Sequence, residues 1–333
     1  MTSFLRAIAV FLVMASASPA WSIGFQYFSL PDDNGRPIEV GIWYPSASQE
    51  KQTTVGMISQ TVALDGAVEG SGLPTVIFSH GNGGWYGDRS DSATLLAQHG
   101  FVAVSLTYPG DNYKDRSDGV RRQMTSRPIV TSQVLDYMLT SWSGRGHLDQ
   151  SKIGFYGFSA GGYTGLLELG GVPDWTVFAE HCAEYQSEMT CSVGGANHLS
   201  SAQTATLTSS TWHHDPRIKA AVLVSPGYGF AFDPKSLRTI GVPIELWGGS
   251  LDENVPFASN VAYLKNYLPN VVAVHDVPNA RHYSFLKPCS EALKAKSMET
   301  CSDAPGFDRA AFQRSLNEDL LAFFQKELLV KAQ

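Results

Sequence analysis

The chain is poor in charge, and in positive charge above all. Its 333 residues include 24 Lys and Arg against 31 Asp and Glu, so the formal net charge is −7. It has no basic cluster and no basic-aromatic stripe that could neutralise phosphates, so nucleic acid is not an expected partner. A hydrophobic content of 43% with only 17% charged residues is typical of a well-packed globular protein and excludes a disordered one.

Long hydrophobic runs are lacking as well. The apolar run near the start, residues 7–15, is too short to span a bilayer. It follows Arg6 and precedes small residues, so residues 1–22 are predicted to be a secretory signal peptide. Cleavage after Ala17 or after Ser22 fits the sequence, with Ser22 preferred, and an uncleaved anchor is the alternative. We therefore expect an exported protein, periplasmic or secreted, without a stable membrane span after cleavage.

Cysteine is scarce too. The four cysteines are Cys182, Cys191, Cys289 and Cys301. Their spacing favours the pairs 182–191 and 289–301, each disulfide contributing about 2–3 kcal/mol in the chain-entropy model. A zinc site is the alternative, because His181 and His198 lie near the first pair. No C-x-x-C or H-x-x-x-H spacing supports zinc, so we expect no metal.

Neither a linker nor an internal repeat divides the chain, so residues 23–333 are expected to form one domain. Apolar runs predict eight strands: residues 24–30, 38–44, 74–79, 101–106, 152–156, 218–224, 242–247 and 271–277. Helical segments are predicted near 90–99 and 128–142, from 256 onwards, and at the end of the chain. This alternation predicts an α/β fold whose eight-stranded sheet is mostly parallel and has helices on both faces.

Two segments fall outside that alternation. Residues 46–73 are polar and Gly-rich, and we interpret them as a loop. Residues 171–215 are rich in Trp, His, Ser and Thr and contain the first cysteine pair. We expect this second segment to be a cap insertion that shapes a substrate pocket.

The most informative motif is Gly157-Phe158-Ser159-Ala160-Gly161, which lies between a predicted buried strand and a predicted helix. Strand, G-x-S-x-G and helix together predict a nucleophile elbow, a sharp turn that exposes the serine hydroxyl above the sheet. The flanking glycines are needed because a Cβ there would collide with the neighbouring strand or helix. Ser159 is therefore the candidate nucleophile.

A serine hydroxyl needs a base to take its proton and an acid to orient that base. In this architecture the chain order is serine, acid, histidine. Asp252 follows the seventh predicted strand and His282 follows the eighth, so both fall at the carboxyl ends of strands, where open α/β sheets form their sites. Asp252 could instead cap a helix, Asp233 is a second candidate acid, and His275 is a second candidate base.

An oxyanion needs two fixed N–H donors. The amide of Ala160 is one candidate, and the amide of Asn82, in the Gly-rich loop after the third predicted strand, is the other. The alternative interpretation of that loop is a plain Gly-rich turn. Trp85 and Tyr86 come directly after it and are candidates for the wall of an acyl pocket, although core packing explains them equally well.

These motifs resemble those of the α/β-hydrolase superfamily over nearly all of the mature length. Within it, SHGNGG, GFSAGGYTG, GGSLDENVP, RHYSFL and IEVGIWYPS are similar to the predicted dienelactone-hydrolase group, which is related to the platelet-activating-factor acetylhydrolases. True dienelactone hydrolases use a cysteine nucleophile where this chain has Ser159, so lactone opening is not implied. Arg281 also departs from the small residue usual before the histidine.

The resemblance implies an α/β-hydrolase fold, and the residues predict a serine hydrolase that cleaves carboxylic esters through an acyl-enzyme. Such chemistry needs no cofactor. The expected partner is a small-molecule or lipid-like ester. A peptidase or amidase on the same fold is the nearest alternative, although the chain lacks the β-propeller that would favour a peptidase. A non-catalytic binding protein is a third, but such proteins typically lose the serine, the histidine or the oxyanion loop.

Overall fold

The computed structural model describes residues 21–186, 188–192, 212–295 and 297–329. Ten strands in these ranges form one sheet: β1 (Ser22–Pro31), β2 (Pro37–Ser46), β3 (Lys51–Val55), β4 (Ile58–Leu64), β5 (Leu73–Ser79), β6 (Val102–Thr107), β7 (Leu148–Phe158), β8 (Ile218–Val224), β9 (Ile244–Gly249) and β10 (Val271–Val277). Their order across the sheet is β10-β9-β8-β7-β5-β6-β2-β1-β4-β3.

Parallel pairing joins the strands from β6 through β5, β7, β8 and β9 to β10. The opening hairpin adds β2 antiparallel to β6 and β1 antiparallel to β2. The helices are α1 (Ser90–Gln98), α2 (Val120–Thr140), α3 (Ala160–Glu168), α4 (Trp175–Glu184), α5 (Met189–Ser192), α6 (Pro234–Leu237), α7 (Tyr263–Tyr267), α8 (Glu291–Lys294), α9 (Met298–Cys301) and α10 (Arg309–Phe324). The predicted α/β class with a mostly parallel sheet is confirmed.

The predicted strand count is wrong: the sheet has ten strands, not eight. The two additional strands, β3 and β4, come from residues 46–73, which the sequence predicted to be a loop. They pair antiparallel with each other, and only two residue pairs join β4 to β1. Most side chains of β3 are exposed. Because neither face of β3 is buried, its sequence lacks the alternation of apolar and polar residues that marks a strand.

Helix α2 is also longer than predicted and begins at Val120 rather than near residue 128. Its first turns contain Arg121, Arg122 and Gln123, and Met124 is the single apolar residue between these and Pro128, so the apolar stripe is weak there. Pro128 lies inside the helix, where its missing N–H removes one helical hydrogen bond. Both features hide the start of this helix from a search for hydrophobic periodicity.

The sheet separates two hydrophobic cores. Along β5, Val76 and Phe78 belong to one core and Ile77 to the other, as the period-two alternation of a strand requires. Helices α2 and α3 contribute to the core on the Ile77 side, and α1 and α10 contribute to the opposite core. Helices thus cover both faces of the sheet, and the carboxyl ends of the parallel strands remain open to loops.

The structure joins Cys182 to Cys191 and Cys289 to Cys301, the pairs that the spacing favoured. The first disulfide connects α4 to α5 within the predicted insertion. Residues 193–211 of that insertion, with His198, lie outside the described residues, as do residues 1–20 of the predicted signal peptide. Across the described ranges, no helix combines the length and the apolar character needed to cross a membrane.

Candidate active site

Ser159 occupies the turn between β7, which ends at Phe158, and α3, which begins at Ala160. Its backbone has φ 56° and ψ −117°, a conformation that costs a non-glycine residue of order 1–3 kcal/mol. The flanking glycines make the turn possible. A Cβ at Gly157 would lie 2.3 Å from the Gly161 carbonyl oxygen, and a Cβ at Gly161 would lie 2.0 Å from that of Ser79.

Three side chains from separate loops meet at this turn. The Ser159 hydroxyl donates to His282 Nε2 over 2.9 Å, and His282 Nδ1–H donates to Asp252 Oδ2 over 2.8 Å. The tautomer follows from the network, because only a protonated Nδ1 can donate to the carboxylate. Ser159 is half-buried and the Asp252 side chain is fully buried. A hydroxyl, an imidazole and a buried carboxylate in this order can generate a serine nucleophile.

Asp252 is fixed by its own loop. Its other carboxylate oxygen, Oδ1, accepts the amides of Asn254 at 3.0 Å and Val255 at 2.8 Å. The carboxylate therefore has hydrogen-bond partners on both oxygens despite its burial, which is what a buried charge requires. These contacts leave Oδ2 directed at the imidazole of His282.

The rival candidates lie elsewhere. Asp233 caps α6 by accepting the Lys235 amide, which is the helix-capping role considered for Asp252. Glu253 is exposed. His275 lies flat on Trp247, with ring centroids 3.6 Å apart, and its Nε2 is 3.4 Å from a Glu245 carboxylate oxygen.

One candidate oxyanion donor lies in the elbow itself and the other in a neighbouring loop. The amide of Ala160 opens α3, and that of Asn82 belongs to the loop after β5. Within the described residues, neither amide donates to a protein acceptor. The loop passes close to the serine, because a Cβ at Gly81 would lie 3.3 Å from Ser159 Cβ. Both amides are therefore available to a ligand.

Trp85 and Tyr86 have different surroundings. Trp85 is half-buried and lines a small cavity with Gly81, Phe158 and Leu286. Tyr86 is only 2% exposed and belongs to the core that contains Trp43. Core packing, the alternative interpretation of this pair, therefore describes Tyr86, whereas Trp85 is half-buried beside the loop that follows β5.

Two buried arginines that sequence reasoning missed hold the loops of this site. Arg89 donates to the carbonyl oxygen of Phe285, in the turn His282–Phe285, at 2.8 Å. Arg127 donates to the carbonyl oxygen of His80, in the loop after β5, at 2.7 Å. Their contacts span 196 and 47 residues of sequence, so no local motif marks them.

Two groups of potential metal ligands occur among the described residues, namely His181, Glu188 and Cys191, and Glu168, His213 and Asp215. Cys191 is committed to its disulfide. Asp215 is committed to Arg217, whose guanidinium donates to Oδ1 at 2.8 Å and to Oδ2 at 2.5 Å. Neither group includes Ser159, Asp252 or His282.

The architecture has a counterpart among solved structures. A structure described as a ferulic acid esterase from Streptomyces cinnamoneus matches 96% of this chain over 94% of its own, with a TM-score of 0.66 and 16% sequence identity. The two chains share a fold. At this identity the likeness extends to the fold alone. No protein-family model and no curated protein matches the sequence.

Proposed function

We propose that this chain is an exported serine hydrolase that cleaves carboxylic esters through an acyl-enzyme intermediate. The observation that carries the proposal is the hydrogen-bonded series Ser159–His282–Asp252, centred on a serine in a strained turn. Strain of this kind persists only where the surrounding structure maintains it, and it is concentrated at functional sites. The resemblance of the sequence motifs to α/β-hydrolases agrees with this assignment.

In the proposed reaction, Ser159 Oγ attacks the ester carbonyl while His282 Nε2 takes its proton. Asp252 keeps the imidazole in the required tautomer and stabilises the imidazolium that forms. The amides of Ala160 and Asn82 donate to the developing oxyanion, a contribution of about 3–4 kcal/mol per donor in well-studied cases. His282 then protonates the leaving alcohol and activates a water that releases the acid.

Esters are preferred to amides on one further ground. The solved structure that shares this fold is described as a ferulic acid esterase, so the architecture supports ester hydrolysis in another protein.

The two disulfides fit the oxidising compartment that an exported protein reaches, and so support export. The predicted cap, from residue 171 to 215, is the proposed source of substrate selectivity.

The test is a panel of aryl and alkyl esters of increasing acyl length, including methyl ferulate, with an anilide of the same acyl group beside each. Ser159→Ala is expected to lower turnover about 10³-fold or more, because the nucleophile is lost while binding remains. Faster cleavage of the anilides than of the matched esters would favour the amidase alternative.

A matched pair of histidine variants controls for general damage. His282→Asn should lose turnover to a similar extent, whereas His275→Asn, whose ring lies on Trp247, should keep it. Undiminished ester hydrolysis by Ser159→Ala would refute the proposal. Equal losses in the two histidine variants would refute the assignment of His282 as the base.

A further inference from the structure

The carbonyl oxygen of Gly81 accepts two hydrogen bonds from its own loop. It accepts the imidazole proton of His80 Nδ1 at 2.6 Å and the amide of Gly84 at 3.1 Å. The tautomer is fixed because His80 Nε2 accepts the Tyr108 amide at 3.1 Å, which leaves the proton on Nδ1. Burial and the nearby Arg127 charge hold the pKa of His80 well below its usual range, so the ring stays neutral.

Fixing this carbonyl fixes the amide of the next residue. The peptide bond between Gly81 and Asn82 is trans, since the described chain has no cis peptide. In a trans peptide the C=O and N–H bonds point in opposite directions. The Asn82 N–H is therefore directed away from His80 and Arg127, and it has no protein acceptor in the described part of the chain.

Arg127 anchors this arrangement from α2. Its Nη2 donates to the carbonyl oxygen of His80 at 2.7 Å and reaches that of Gly81 at 3.4 Å. Its guanidinium lies over the Tyr108 ring, 4.0 Å from the centroid. The guanidinium therefore immobilises two consecutive carbonyls of the loop.

Asp111 completes the anchor from the opposite direction. It lies 3.3 Å from Arg127 Nε, and both side chains are only 2% exposed. The contact is an ion pair without hydrogen-bond alignment, because Oδ2 and Nε lack a hydrogen-bond partner. Its other oxygen accepts the Gly83 amide at 3.0 Å and the Asn82 side-chain amide at 2.8 Å. The buried ion pair is thus hydrogen-bonded to the loop at His80, Asn82 and Gly83.

We infer that Arg127 and Asp111 are positioning residues that hold the Asn82 amide ready to donate to the oxyanion above Ser159. The inference rests on the proposed function and adds to it the device that preorganises one donor. Both act through the loop: Arg127 holds the carbonyls of His80 and Gly81, and Asp111 holds the Gly83 amide and the Asn82 side chain. Preorganised donors stabilise a transition state because they need not reorganise when charge develops.

The test separates positioning from folding. Arg127→Met removes both carbonyl contacts and should lower kcat about 10²-fold, with KM changed less than threefold, because the oxyanion donor acts mainly in the transition state. A boronic acid that forms a tetrahedral adduct with the serine should bind more weakly by the same factor. Arg127→Lys retains the charge opposite Asp111, and hence the fold, but lacks the planar fork and should show an intermediate loss.

Arg122→Met is the matched control, because Arg122 lies on the same helix, pairs with Asp118 and is 46% exposed. It should retain wild-type kinetics and boronate affinity. The inference would be overturned if Arg127→Lys and Arg127→Met both kept wild-type turnover per folded molecule and wild-type boronate affinity. Failure of the proposed function would give a different result, because Ser159→Ala would then remain active. In that case the positioning role of Arg127 and Asp111 would be refuted as well.

Discussion

At the scale of single residues, the elbow depends on the missing side chain of Gly161. A Cβ there would lie 2.0 Å from the Ser79 carbonyl oxygen, a backbone atom that cannot move without the oxyanion loop. Gly161→Ala should therefore lower esterase turnover at least about 100-fold and destabilise the fold by about 1–3 kcal/mol, the usual cost of overpacking. Turnover and urea unfolding measure the two effects.

Gly227 supplies the control, because its amide donates to the Ser159 carbonyl oxygen at 3.0 Å and so lies at the same site. A Cβ at Gly227 would come no nearer than 3.6 Å to another atom, an ordinary van der Waals contact. Gly227→Ala should retain turnover and stability. If both alanine variants behave alike, the steric account of Gly161 is wrong.

Single residues also differ in whether their role could be predicted from the sequence. Ser159, Asp252 and His282 could be proposed because each lies on the turn or loop after a strand, and chain order suggests a role for each. Arg127 and Asp111 could not be selected in this way. Their importance lies in contacts with backbone atoms of a distant loop, and a buried arginine in a helix has the same sequence as a solvated one.

At the scale of elements, Arg89 joins α1 to the histidine turn and to α10. It donates to the Phe285 carbonyl at 2.8 Å, to Ser92 and Asn317 at 2.6 Å each, and also to Gln313. Arg89→Met should lower the free energy of unfolding by at least about 3 kcal/mol, because several buried acceptors lose a charged donor together. Urea unfolding measures the loss.

Arg314→Met provides the comparison, since Arg314 lies exposed on α10. It is expected to leave the urea midpoint within error of the wild type. A midpoint for Arg89→Met that matches this control would contradict the view that Arg89 holds the three elements together.

Elements were predictable where burial produces a pattern. All eight predicted strands are present, because each has at least one face against a core. The hairpin of β3 and β4 was not predictable, since β3 is mostly exposed and its pairing rests on backbone hydrogen bonds that any sequence can make. The start of α2 was hidden for the same reason, because its first turn is polar.

At the scale of the whole molecule, the site is a product of topology. His282 lies 123 residues from Ser159 and 30 from Asp252 in sequence, yet the parallel order of β7, β8, β9 and β10 delivers all three to one edge. Helix α4 packs near this edge, where Trp175 and Phe178 contact Tyr228, a residue that follows β8. The proposed cap therefore begins close to the chemistry.

Glu168, at the end of α3 opposite the elbow, provides a test of global stability. Glu168, in α3, is fully buried, and both its carboxylate oxygens lack a hydrogen-bond partner within the described residues. Burial, and secondarily the Asp215 charge, raise the pKa of Glu168 well above its usual range. The folded state therefore keeps a proton that the unfolded state releases above its ordinary pKa. The free energy of unfolding should therefore fall as pH rises from the ordinary carboxyl pKa to the raised pKa of Glu168, by up to about 1.4 kcal/mol per pH unit.

Glu168→Gln removes the titrating proton, whereas any packing cost of the amide is the same at every pH. The urea midpoint of the variant should therefore rise relative to the wild type as pH increases from the ordinary carboxyl pKa towards the raised pKa of Glu168. Glu318→Gln, at an exposed position on α10, should give a curve parallel to that of the wild type. Parallel curves for Glu168→Gln as well would mean that Glu168 is ionised in the folded protein, and that its charge is compensated by a partner.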